Sequence, residues 1–72
     1  MKPLFMDILG SDKRKYHINV NQILYFYSYE HKGDMITEIV FTNKESLESE
    51  ETPVEIERRI NALSTPQEQQ YH

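Results

Sequence analysis

The chain has 72 residues with a formal net charge of -4 and a pI near 5.2, a length that allows one domain with a thin core. Cysteine is absent, which excludes a disulfide framework and thiolate chemistry. The acidic balance argues against general adhesion to nucleic acid or anionic membrane, both of which reward clustered positive charge.

Met1-Lys2-Pro3 leads into an apolar stretch broken at Asp7, unlike a secretory leader. From Leu4 to Leu9 the residues read as a first strand, ended by the turn chemistry of Gly10-Ser11-Asp12. Tyr16, Ile18 and Val20 then alternate with His17 and Asn19, the period of a half-buried strand. After Asn21-Gln22 the run Ile23-Leu24-Tyr25-Phe26-Tyr27-Ser28-Tyr29 gives the clearest strand, rich in residues that favour a pleated, packed surface. It is far too short for a helical bilayer span, and a cytoplasmic protein without membrane insertion is expected.

Glu30 to Asp34 contains Gly33, suited to a hairpin loop that needs a positive φ. Met35 to Thr42 reads as a fourth strand, with Met35, Thr37, Ile39 and Phe41 as the expected core face. Asn43-Lys44-Glu45 turns the chain toward a short edge strand around Ser46-Leu47. Thr52-Pro53-Val54-Glu55 has the form of a capping box. It predicts a helix from Pro53 to about Leu63, with Ile56, Ile60 and Leu63 on one stripe, Val54 near its start, and Glu57, Arg58 and Asn61 facing water. The polar segment from Ser64 to His72 lacks periodicity and reads as a disordered tail. The expected fold is α+β: an antiparallel β-meander of four or five strands with one C-terminal α-helix, as a single domain over residues 1–63 with a tail over 64–72.

Two segments, Tyr16-His17-Ile18-Asn19-Val20-Asn21-Gln22-Ile23 and Glu51-Thr52-Pro53-Val54-Glu55-Ile56-Glu57-Arg58-Arg59-Ile60, carry a family resemblance together with the strand from Thr37 to Thr42. The chain resembles the small FlbD/SwrD-type flagellar and swarming-motility family and its relatives in bacteria and phages. The resemblance covers residues 4 to 62 as an order of elements, and Lys44 stands where that family has a turn glycine. It implies a compact meander with a C-terminal helix and a non-enzymatic accessory role. A second, weaker resemblance links Ile23-Leu24-Tyr25-Phe26-Tyr27-Ser28 to the opening of a LytTR-type DNA-binding domain, which needs a longer chain and a basic later segment.

No nucleophile elbow, glycine-rich phosphate cradle or paired-carboxylate motif occurs, so neither catalysis nor a cofactor is expected. His17, His31 and His72 lack the spacing of a metal site. The acidic run Glu45, Glu48, Glu50, Glu51, Glu55 and Glu57 reads as a solvated face that complements the helix N-terminus. Lys13, Arg14 and Lys15 beside Tyr16 are the residues a nucleic-acid-binding alternative would use. Weightier is the aromatic strand: Leu24 and Phe26 point one way and Tyr25, Tyr27 and Tyr29 the other, yet one helix covers one face. The expectation is that the helix covers Leu24 and Phe26. The tyrosines then either form the interface of an interaction module, with a second copy of the chain or another protein as partner, or lie half-buried on an open sheet with their hydroxyls in water.

Overall fold

The computed structural model of the chain describes residues 4–64, with the backbone alone at Ser64; the expected tail lies outside the described residues. Five antiparallel strands form two sheets, and one C-terminal helix follows, an α+β fold as expected. The first sheet is the hairpin of β1 (Phe5–Leu9) and β2 (Lys15–Asn19). The second has the order β3 (Ile23–His31), β4 (Asp34–Phe41), β5 (Ser46–Ser49). The helix α1 spans Pro53–Ser64.

A single meander would pair β2 with β3; the structure divides there instead. Asn19 accepts from the Asn21 amide through its side chain at 3.0 Å, and the local bond rolls Val20–Gln22 into one 3-10 turn. The two sheets meet elsewhere, through a bridge between Gly10 and Ser49 and a bond from the Ser11 amide to the Glu48 carbonyl at 2.8 Å. Within its own hairpin Gly10 leaves room for the Tyr16–Asp12 contact, because a Cβ there would lie 2.7 Å from both Asp12 Oδ1 and the Tyr16 ring.

Two of the hairpin turns are built alike. Gly10 and Arg14 close one (Gly10 N to Arg14 O, 2.8 Å), and Phe41 and Glu45 close the other (Phe41 N to Glu45 O, 2.9 Å). In each an Asx side chain, Asp12 or Asn43, accepts from the amide two residues on at 3.0 Å, and a lysine follows at positive φ, Lys13 at 71° and Lys44 at 74°. Three-residue hairpin loops of this kind place their last residue in the left-handed region. The β3–β4 turn has Lys32 and Gly33 at φ 54° and 86°, the positive pair of a two-residue type I′ loop.

Met6, Ile8, Ile18, Ile39 and Ile56 form the buried core, with Tyr16, Val20, Ile23, Phe26, Phe41, Leu47 and Ile60 packed around it. Of the expected β4 core face, Thr37 and Ile39 are buried, Phe41 is half-buried and Met35, next to the turn, is exposed. On α1 the stripe narrows to Ile56 and Ile60. Val54 in the first turn is 75% exposed and Leu63 in the last is 40% exposed. Thr52 caps α1 by accepting from the Glu55 amide at 3.2 Å, while the Glu55 carboxylate engages Arg58 Nη2 at 2.5 Å.

A polar clasp ties the helix to both sheets. Arg59 donates to Glu51 Oε1 at 2.6 Å and to the Asp7 carbonyl, and the other Glu51 oxygen accepts the Leu9 amide at 3.0 Å. Ser49, fully buried, donates through its hydroxyl to the Leu9 carbonyl at 2.8 Å. Side chains thus bond the outer edge of β1, which would otherwise present unpaired backbone groups.

Candidate functional site

Tyr25, Tyr27 and Tyr29 occupy alternate positions of β3 and point away from the core, as the period of two requires. Their rings form a tilted ladder with centroids 6.2 Å and 6.1 Å apart, within the range of favourable aromatic contact. Tyr25 is 54% and Tyr27 45% exposed. Cross-strand pairing sets Val40 opposite Tyr25, Glu38 opposite Tyr27 and Ile36 opposite Tyr29. This face is therefore apolar and aromatic with carboxylates set into it.

Glu38 and Glu48 stand directly opposite each other on β4 and β5, a like-charge cross-strand pair that costs stability when left bare. Each receives a tyrosine hydroxyl. Tyr27 donates to Glu38, and Tyr29 reaches over β4 to Glu48 at 2.8 Å. The bond to Glu48 pushes the Tyr29 pKa up to about 12, and the bond to Glu38 raises that of Tyr27. Accepting that bond holds the Glu38 carboxyl below its ordinary value of 4.5.

The structure corrects the expectation for Leu24. A β-bulge falls between Ile23 and Tyr25, so Leu24 has no partner on β4 and is 60% exposed instead of lying under the helix. Phe26 pairs with Ile39 and does pack on the core. Beyond β3 there is no further strand in its sheet among the described residues. Past the bulge, its outer edge from Tyr25 to His31 is regular and carries no proline or glycine.

Near this face lies an open depression of about 380 Å³ bordered by Lys13, Asp34, Met35, Ile36 and Glu50. Lys13 is bound to Glu50 at 2.7 Å there. Arg14 sits 4.0 Å from Asp12, and Lys15 ends the hairpin with an exposed side chain. The basic turn thus lies among carboxylates of its own chain. A second depression, of about 350 Å³, is bordered by Asp12, Tyr16 and Glu48 among others, and the Tyr16 hydroxyl donates to Asp12 at 2.5 Å.

His17 bonds Asp7 at 2.8 Å and stacks on Phe5 with centroids 5.0 Å apart, while His31 lies at the end of β3. Among the described residues no group of three or more His, Asp or Glu is placed to hold a metal ion. No helix of the described residues is long and apolar enough to cross a membrane. The tyrosines were legible as a surface from their alternation. Glu38 and Glu48 carried no such signal, since their pairing depends on the β4–β5 register. No family model, curated protein or solved structure matches the chain.

Proposed function

We propose that the chain is a non-enzymatic interaction module and that β3, with its tyrosine face and open edge, is the surface through which it holds another protein. The observation that carries this reading is the ladder of Tyr25, Tyr27 and Tyr29, turned outward while Phe26 of the same strand packs on the core. Tyrosine brings large contact area with little conformational freedom to lose and a hydroxyl that tolerates water, which is why interfaces are enriched in it. An accessory role of this kind in a bacterial or phage system also agrees with the FlbD/SwrD resemblance.

Self-association is one form of the same reading, and its geometry is constrained. Docking two tyrosine faces would bring together Glu38 and Glu48 of both copies, against like-charge repulsion. Pairing two β3 edges side by side avoids this and satisfies both rows of backbone groups. For the nucleic-acid alternative, the surroundings of the basic turn offer little support, because Glu50 and Asp12 already partly neutralise Lys13 and Arg14.

The test is native mass by size exclusion with light scattering, on the chain recovered at native expression level and on Tyr27→Lys. The expected result is a species heavier than the 8.6 kDa chain that Tyr27→Lys, equally folded by circular dichroism, reduces to monomer mass. A monomer in the parent, or a complex that Tyr27→Lys leaves intact, would overturn the proposal.

A further inference from the structure

We infer that the occupant of β3 is an extended segment of another protein carrying arginine at alternate positions, an inference that rests on the interaction reading and names its partner's chemistry. Three features of the surface converge on it. The outer edge of β3 has no neighbouring strand among the described residues and is regular from Tyr25 to His31, and such an edge favours an added strand, whose main chain supplies affinity and whose alternate side chains supply specificity. An added strand would lie about 5 Å from β3 and place every second side chain beside the tyrosine ladder. Aromatic faces attract guanidinium groups.

Charge decides which side chain belongs there. Glu38 and Glu48 oppose each other across β4–β5 and are answered by neutral hydroxyls from Tyr27 and Tyr29. Among the described residues the lysine and arginine ion pairs serve other carboxylates: Lys13 with Glu50, Arg14 with Asp12, Arg58 with Glu55 and Arg59 with Glu51. A hydroxyl donor eases the repulsion without cancelling the charge. An arginine laid over a tyrosine ring toward β4 would offset it and could donate to the Glu38 carboxylate through its planar fork, a geometry that lysine lacks. A second copy of this chain paired at β3 would bring more tyrosine and Glu30, not the missing cation.

The experiment is a titration of the 15N-labelled chain, followed by amide chemical shifts, with acetyl-Arg-Val-Arg-Val-Arg-amide, its Lys counterpart and its Glu counterpart. The expected result is shifts concentrated on residues 23–31 and at Glu38 and Glu48, strongest with arginine and absent with glutamate. The double variant Glu38→Gln/Glu48→Gln keeps an acceptor for each tyrosine and should weaken the arginine peptide about tenfold or more. The inference is overturned by equal shifts from the Glu peptide, by unchanged affinity in the double variant, or by shifts spread along the acidic run from Glu45 to Glu57. It is also overturned by β3 shifts that depend on the chain's own concentration, which would assign the edge to self-pairing. If the arginine peptide fails while a Tyr27-dependent complex persists by light scattering, this inference falls and the interaction reading stands.

Discussion

The Tyr29 hydroxyl donates to the Glu48 carboxylate at 2.8 Å across β4, which lies between the strands that carry them. With the Tyr27–Glu38 bond beside it, this contact turns the outer face of three strands into one hydrogen-bonded surface. It joins aromatic area to negative charge in a way neither residue's position in the chain suggests.

Those bonds give the fold a pH dependence with a defined sign. The Tyr29 pKa is raised from its ordinary 10.0 to about 12 by the bond to Glu48. Its contribution to stability is therefore complete below about pH 10 and lost as pH rises through about 12. Glu38 is shifted the other way, below its ordinary 4.5, so its contribution is present above 4.5 and lost as pH falls through the depressed value. Urea midpoints measured across pH should show Tyr29→Phe flattening the alkaline limb and Glu38→Gln flattening the acid limb. An alkaline limb unchanged in Tyr29→Phe would contradict the bond.

Glu51→Ala should destabilise the chain by about 1–3 kcal/mol, because it strands the Leu9 amide and removes the Arg59 partner at once. Glu51→Gln, which keeps an acceptor, should cost less. Chemical denaturation of the two variants checks the order, and equal losses would show that the charge, not the acceptor, is what matters.

Lys44→Gly should raise stability by up to about 1 kcal/mol, since Lys44 sits at φ 74°, where a side chain is strained and glycine is not. Thermal unfolding provides the check. A loss of stability would place the benefit of lysine in the unfolded chain's restricted freedom.

Ile56→Ala should cost about 2–5 kcal/mol, as expected for a fully buried aliphatic residue. For 72 residues the total stability is on the order of 4–11 kcal/mol, so this variant should be largely unfolded at moderate temperature by circular dichroism. Val54→Ala, on the same helix but 75% exposed, should change little.

Local patterns carried most of the secondary structure into view: the alternation in β2 and β3, Gly33 in its turn, and Thr52-Pro53 at the head of α1. What stayed hidden depends on contacts between distant segments. The split into two sheets follows from the Asn19–Asn21 turn and the Gly10–Ser49 bridge, and hydrophobic period alone does not register either. Glu51 reads as a member of a solvated acidic run and Arg59 draws no reading of its own, and only the fold brings them to the edge of β1. The bulge at Leu24 reversed the expected cover of that side chain. Lys13 and Lys44 take positive φ, Lys44 where the resemblance has a turn glycine, because an Asx bond to the amide two residues on organises each loop.

The assignment of β3 as the contact surface is tested most directly by in-cell photo-crosslinking. Tyr27→p-benzoylphenylalanine places the probe on the tyrosine ladder, and Glu57→p-benzoylphenylalanine places it on the exposed side of α1. The expected result is one adduct of discrete mass from position 27 and none from position 57. No adduct at 27, or the same adducts from both positions, would contradict the assignment and leave the tyrosines as hydrated sheet surface.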